Sequence, residues 1–205
     1  MVIRKKYKID RSLLQNTLGT SKSSFNKKKY KPGIHKNKEF SRSSYCSLLV
    51  HKQRLRALYR NMTDKQLLKI LQNSLKSDNY KFNVVKMLES RLDSVLFRSG
   101  SVLSFIMARQ LISHRHIYVN GKKQYSCSYS VCTGDSITFD EVGNKICIDA
   151  IKRSGRKCPN YLFVVESDDS VTINVNFDNL GIEEDSLDVI LGGNDLTKIM
   201  RFYKI

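Results

Sequence analysis

The sequence predicts an α+β fold: a basic N-terminal arm and helical domain, an inserted module of two helices packed on a small antiparallel sheet, and a C-terminal β-rich return segment. Three observations predict it. Apolar residues from about Ser44 to Ile112 recur at three-, four- and seven-residue steps, the spacing of helices that bury one face. The pair Asn120-Gly121 follows the apolar run Ile117-Tyr118-Val119, the strongest short-range signal for a hairpin. Beyond Tyr161 the apolar residues alternate with polar ones, as in strands with one buried face. A chain of 205 residues has room for one or two such domains.

The first sixty residues hold seventeen Lys and Arg against only Asp10 and Glu39. An uncompensated run of that density repels itself as a free chain, and anion binding relieves the repulsion. Its bases alternate with aromatics: Arg4, Lys5, Lys6 and Lys8 surround Tyr7, and Lys27, Lys28, Lys29 and Lys31 flank Tyr30 ahead of Pro32-Gly33 and His35. Cationic side chains beside flat rings suit folded RNA, which is held through phosphates, sugars and exposed bases.

The helical pattern begins at Ser44, with Tyr45, Leu48, Leu49, Leu55, Leu58 and Tyr59 on the inward face. Thr63 with Gln66 three residues later reads as a capping box that opens the next helix, whose stripe is Leu67, Leu68, Ile70, Leu71 and Leu75. A further helix is expected from Asn83 to about Arg98, closed by Gly100. Ser101 or Ser104 caps the following one, with Phe105, Ala108, Leu111 and Ile112 inward. After the hairpin turn a second β run is expected near Gln124–Tyr129, then a turn at Thr133-Gly134-Asp135 and a strand over 136–139. Strands at 161–165 and 171–177 follow, turning at Asp168-Asp169-Ser170.

The net charge of +17 and the isoelectric point near 9.7 point to a polyanionic partner. The longest apolar runs, such as Phe105-Ile106-Met107-Ala108, are far shorter than the roughly 20 residues of a membrane span. Met1 is followed by Val-Ile-Arg-Lys-Lys with no apolar segment, so no secretory leader is expected. Five cysteines without a framework spacing suit free thiols in a reducing compartment.

The string ARQLISHRHIYVNGKK, preceded by LESRLDSVLFRSG and followed by SYSVCTGDSITF, resembles the RNA-binding module named after the fourth protein of the small ribosomal subunit. That module also occurs in pseudouridine synthases, some tyrosyl-tRNA synthetases and heat-shock ribosome-binding proteins. The flanks narrow the resemblance. FNKKKYKPGIH and SYCSLLVHKQRLRALYRNMTDKQL resemble the N-terminal part of the ribosomal protein family itself, and LTKIMRFYKI resembles its terminal strand. The likeness covers residues 1–139 and the last ten, with only Lys157-Cys158-Pro159-Asn160-Tyr161-Leu162 matching between them. It implies a basic RNA-binding arm over 1–43, a helical N-terminal domain over 44–90, the RNA-binding module over 91–139 and the β-rich segment over 140–205.

By this resemblance the module's second helix and the turn after it face RNA, which implicates Arg109, Ser113, His114, Arg115, His116, Asn120, Lys122 and Lys123, with Arg91 and Arg98 extending the face. In the N-terminal part Lys28, Lys29, Lys31, His35, Lys52, Arg54, Arg56 and Arg60 fall where the family contacts ribosomal RNA, and the arm adds Arg4, Lys5, Lys6 and Lys8. Two departures stand out: Gly33-Ile34-His35-Lys36 replaces the family's Gly-Gln-His-Gly, and the last third is acidic, with nine Asp and Glu against three bases after residue 160.

The implied function is a structural constituent of the small ribosomal subunit that binds its RNA early in assembly and supports translation and decoding accuracy. The implied partners are small-subunit ribosomal RNA, neighbouring small-subunit ribosomal proteins and messenger RNA (mRNA) near the channel through which it enters. No membrane, small-molecule substrate, cofactor or metal is expected. The alternative is a ribosome-associated or tRNA-binding factor carrying the same module. Likeness to alphaproteobacterial members and heavy use of Lys, Asn, Ser, Ile and Tyr suggest a mitochondrial origin; a plastid or a bacterial cytoplasm are the alternatives.

Sharper chemistries find little support. Arg91-Leu92-Asp93 matches the catalytic core of pseudouridine synthases, but it lies inside the module's own first helix, where Asp93 is a surface charge or a partner of a neighbouring Arg. Cys127, Cys132, Cys147 and Cys158 lack the paired spacing of structural zinc. His114 and His116 have no nearby nucleophile or carboxylate in sequence, which favours a hydrogen-bonding role. The acidic stretch from Glu183 to Asp188 contacts a basic neighbouring protein, folds back onto the arm, or is a solvated loop.

Overall fold

The computed structural model describes residues 8–16, 24–34, 43–60, 62–167, 169–177 and 195–204. Its elements run α1 (Lys8–Leu13), α2 (Ser24–Lys27), α3 (Ser44–Leu58), α4 (Asp64–Ser74), α5 (Tyr80–Glu89), α6 (Leu92–Arg98) and α7 (Phe105–Ser113). Then come β1 (Ile117–Val119), β2 (Lys122–Lys123), β3 (Ser136–Phe139), α8 (Glu141–Ser154), β4 (Leu162–Glu166), β5 (Val171–Val175) and α9 (Leu196–Tyr203). The class is α+β. The described residues fall into two compact units, one within 1–81 and 184–205 and the other within 82–183.

In the first unit, polar caps start the helices. Ser43 accepts from the Cys46 N–H at 3.3 Å to open α3. The capping box at α4 is complete: Thr63 Oγ1 accepts from Gln66 N–H at 3.3 Å, and Gln66 Oε1 accepts from Thr63 N–H at 3.2 Å. The stripe behind it buries Leu67 and Leu71 completely. Leu55, Ala57 and Tyr59 are buried on α3 and its end, whereas Tyr45, expected inward, is 62% exposed.

The second unit is built on an antiparallel sheet in the order β2-β1-β3-β5-β4. Ile117, Val119, Ile137, Phe139, Ile173 and Val175 share its buried face and pack with Leu92, Leu96, Ala108, Ile112 and Cys147 from the helices. Each such fully buried aliphatic side chain contributes about 1.5–3 kcal/mol. Ser104, rather than Ser101, caps α7 by accepting from Met107 N–H. Asn120 and Gly121, with φ of 49° and 74°, form the hairpin turn that joins Val119 to Lys122.

Four expectations are corrected. The helix foreseen from Asn83 to Arg98 is two helices, because Arg91 is extended (φ −65°, ψ 137°) and the Ser90 carbonyl accepts from Val131 N–H instead of continuing the helix. The β run near Gln124–Tyr129 forms no ladder; its Cys127 and Tyr129 carbonyls accept from Asp93 and Leu92 N–H groups and so satisfy the start of α6. The C-terminal segment holds an unforeseen helix, α8, capped by Asp140 and ended by Gly155 at φ 55°. Gly143 lets that helix approach closely: a Cβ there would sit 3.1 Å from the His116 carbonyl oxygen. The final residues form α9 and not a strand, since Leu196, Ile199 and Met200 bury one helical face behind the Asp195 cap. The acidic stretch from Glu183 to Asp188 lies outside the described residues.

Candidate nucleic-acid interface

Most of the predicted cations inside the helices turn inward. On α3, Lys52 is 7% exposed, 3.2 Å from Asp64, and its ammonium stands 4.1 Å from the Phe202 ring centre. Arg54 donates to the Leu13 carbonyl at 3.1 and 3.3 Å, filling the open end of α1. Arg56 donates to Met62 O at 2.9 Å and to Asp64 at 3.0 Å. Burial pushes the Asp64 carboxyl up, but hydrogen bonds from Tyr203 and Lys52 and the charges of Arg56 and Lys52 outweigh it, holding it below the usual carboxylate range.

The first helix of the second unit repeats the pattern. Arg91, 7% exposed, grips Asp93 through two hydrogen bonds of 3.0 and 3.1 Å, and Arg109 reaches the same carboxylate at 2.8 Å. Asp93 is therefore a buried partner of two arginines and not a surface charge. Arg98 is bidentate to the fully buried Glu89 at 2.9 and 3.0 Å, which also accepts from the Tyr161 hydroxyl at 3.1 Å. Arg91, Arg98 and Arg109 thus hold the fold rather than presenting a shared basic face. Arg156, with no sequence motif to mark it, works likewise: it donates to the carbonyls of Phe97, Val102 and Leu103 and lies 4.0 Å over the Phe97 ring.

At the end of α7 the chain behaves differently. His114 closes the helix, Arg115 N–H bonds to Ile112 O at 2.9 Å, and His116 N–H bonds to Leu111 O at 3.1 Å. These are the two bonds of a Schellman motif, and Arg115 occupies the left-handed position (φ 64°) that glycine usually takes. His116 then anchors the turn. Its Nδ1 lies 2.7 Å from Asp140, whose backbone N–H donates to the His116 carbonyl at 3.1 Å. Burial pushes the Asp140 carboxyl up; the hydrogen bonds from His116 and Gly143 and the charges of His116 and Lys123 bring it below the ordinary range.

Asn120 is likewise structural. Its amide donates to Asp135 at 2.8 Å and its oxygen accepts from the Ser136 N–H at 2.9 Å, locking the hairpin to the turn before β3. Around it Ser113, His114, Arg115, Lys122 and Lys123 are all exposed. Among the described residues, none of these three cations makes an ion pair. Two tyrosines join them that the candidate set omitted. Arg115 lies 6.0 Å from the ring centre of Tyr125, itself 70% exposed, and Lys123 lies 5.5 Å from that of Tyr118. The alternation of bases and rings in RHIYVNGKKQY is the signal that marks them.

In the arm, Lys8, Lys28 and Lys29 are exposed, while Lys31 and Arg60 are half-buried. Arg11 holds the arm's turn by donating to Tyr30 O and Lys31 O at 3.1 and 3.2 Å. Arg4, Lys5, Lys6 and His35 lie outside the described residues.

Comparison with known proteins places the chain in a family. The S4 domain family matches residues 90–137, and the Ribosomal protein S4/S9 N-terminal domain family matches residues 2–89. The small ribosomal subunit protein uS4 of Orientia tsutsugamushi (strain Boryong) is 40% identical over 166 residues, covering 78% of this chain and 80% of its own. Those of Rickettsia canadensis (strain McKiel) and Acidiphilium cryptum (strain JF-5) are 38% and 34% identical, over 78% of this chain and 80% and 79% of theirs. With its N-terminal and module segments matched in series and its length shared with alphaproteobacterial relatives, the chain belongs to the uS4 family of small ribosomal subunit proteins.

Proposed function

We propose that this chain is a structural constituent of the small ribosomal subunit that binds small-subunit ribosomal RNA early in assembly and supports translation and decoding accuracy. It is not an enzyme; its work is counterion release and shape complementarity. The observation that carries this reading lies just beyond α7, where Arg115 sits beside Tyr125 and Lys123 beside Tyr118, with exposed Lys122 next to it, on a turn and hairpin pinned by His116 and Asn120. Phosphates meet cations that, among the described residues, have no ion-pair partner to give up, and unstacked bases meet flat rings.

The arm supplies a second grip through Lys8, Lys28, Lys29 and the other bases of residues 1–43. Two linked attachments raise each other's effective concentration and hold RNA helices in one relative orientation. Neighbouring small-subunit proteins, and mRNA near the channel through which it enters, are the further partners. We read the ribosome as a mitochondrial one, in keeping with the Lys-, Asn- and Ile-rich composition and the alphaproteobacterial likeness, with a plastid or a bacterium as the alternatives.

Titration of the full chain with small-subunit ribosomal RNA at several salt concentrations tests the reading. Eight arm bases on phosphates give a log–log slope of about −7 if the RNA is duplex and about −6 if it is single-stranded. Tighter binding to transfer RNA, or release from the small subunit on sedimentation at high salt, would overturn it.

A further inference from the structure

The sheet has a second face. Its register sets Lys123, Tyr118, Thr138, Thr172 and Val165 in one row across all five strands, with Ser136, Asn174 and Phe163 in the row beside it. The chemistry changes along these rows. At the β2 end a lysine lies over a tyrosine; at the β4 end stand Phe163, 50% exposed, and Val165, 53% exposed. Exposed Glu166 and Asp169 border that end, and no Lys or Arg occurs from Tyr161 to Val175 in a chain of net charge +17.

β4 is also an outer strand of the sheet, and no described strand pairs with its far side. Proteins usually blunt such an edge with lysine, proline or a bulge. Here the strand reads Leu-Phe-Val-Val-Glu, apolar and high in β propensity. Four strand spacings, about 19 Å, separate β2 from β4. That is more than two screening lengths of about 8 Å at physiological salt. Phosphate held at Lys123 therefore gains nothing from this edge, and Glu166 and Asp169 repel any that approaches.

We propose that the β4 edge docks an extended, positively charged segment of a neighbouring protein. The segment adds a strand to β4 through main-chain hydrogen bonds, rests apolar side chains on Phe163 and Val165, and sets its cations against Glu166 and Asp169. A second copy of this chain would bring the same acidic hairpin and so repel itself. The proposal rests on the reading that the chain works within a ribonucleoprotein, and it uses a surface apart from the candidate RNA contacts.

Small subunits isolated from cells expressing the full chain, with p-benzoylphenylalanine in place of Phe163 or, separately, of Arg115, test it by photocrosslinking. Position 163 is expected to yield a protease-sensitive, nuclease-resistant product containing a lysine- and arginine-rich peptide of another protein. Val165→Lys is expected to lower that yield at least fivefold while the melting temperature of the purified chain stays unchanged. RNA at position 163, a second copy, an intrachain product, no product, or a yield indifferent to Val165→Lys would each overturn the proposal. Position 115 reports separately: failure to crosslink RNA there counts against the proposed function and leaves the outcome at 163 to stand on its own.

Discussion

The cations of α3 and those from Arg115 to Lys123 are both clustered in sequence and opposite in use. Lys52, Arg54 and Arg56 are drawn inward by Asp64, the Leu13 carbonyl and the Met62 carbonyl. Among the described residues Arg115, Lys122 and Lys123 have no such acceptor, and the nearby carboxylates are already engaged: Asp140 by His116, and Asp135 by Asn120 and Cys132 N–H. A basic run therefore says little about which charges a partner meets. What decides is whether a carboxylate or an unsatisfied carbonyl lies within reach, since a charge leaves water only for a partner of that kind.

The largest expected effect breaks the inward class. Asp93→Asn leaves Arg91, buried, and Arg109, partly buried, without their shared carboxylate, and removing one member of a buried ion pair costs about 3–5 kcal/mol. Urea unfolding of the full chain is expected to show a loss of that order; a change under 1 kcal/mol would mean that the arginines find other acceptors or that the cluster adds little. The outward class is expected to do the reverse. Replacing Arg115, Lys122 and Lys123 together by Ala should move stability by no more than about 0.5 kcal/mol, yet flatten the salt dependence of RNA binding by about 3 if each meets a duplex phosphate.

Asp64→Asn sharpens the comparison with a pH dependence. Asp64 is half-exposed, so its pairs are screened, but Lys52 beneath it is buried and loses its counter-charge. The expected cost at pH 7 is about 1–2 kcal/mol. Because the folded-state pKa of Asp64 is depressed, its contribution is present above the unfolded value near 4 and fades as pH falls through the folded value. Wild type and variant should therefore converge in acid, as urea titrations at pH 7 and pH 2.5 would show. A difference that persists at pH 2.5 would assign the effect to packing.

Much of the fold was legible because its signals are local. The Thr63–Gln66 box, the Asn120-Gly121 turn and the alternation at 171–177 each act over a few residues; the first two form as read, and the strand forms over 171–175, two residues shorter than read. The misses needed long-range knowledge. Nothing near Ser90 announces that Val131 will take its carbonyl, and nothing near Tyr129 announces that its carbonyl will start a helix. The end of the chain was misread for another reason: the terminal strand came from resemblance, while Leu196, Ile199 and Met200 keep a helical step of their own. The site was legible as a neighbourhood only. Sequence placed Arg115, Lys122 and Lys123 at the turn and hairpin after α7, but separating Arg115 from Arg109, six residues apart, required seeing Asp93 beside one and solvent beside the other.

The smallest expected effect concerns Arg115 alone, and its two parts point in opposite directions. An L-residue held at φ 64° strains a position that glycine fills without cost, and no ion pair among the described residues compensates it. Arg115→Gly relieves the strain but adds freedom to the unfolded chain, and at a left-handed Schellman position the first outweighs the second. Stability is expected to rise by about 0.5–1 kcal/mol. Affinity for small-subunit RNA is expected to fall by about 3- to 10-fold, as one phosphate or stacking contact is lost. Thermal melts and filter binding on one preparation measure both. Higher stability with unchanged binding would make Arg115 an accident of sequence; lower stability would show that its side chain holds the turn. Only the opposed pair of changes fits a residue kept in a strained backbone for the sake of the side chain it projects.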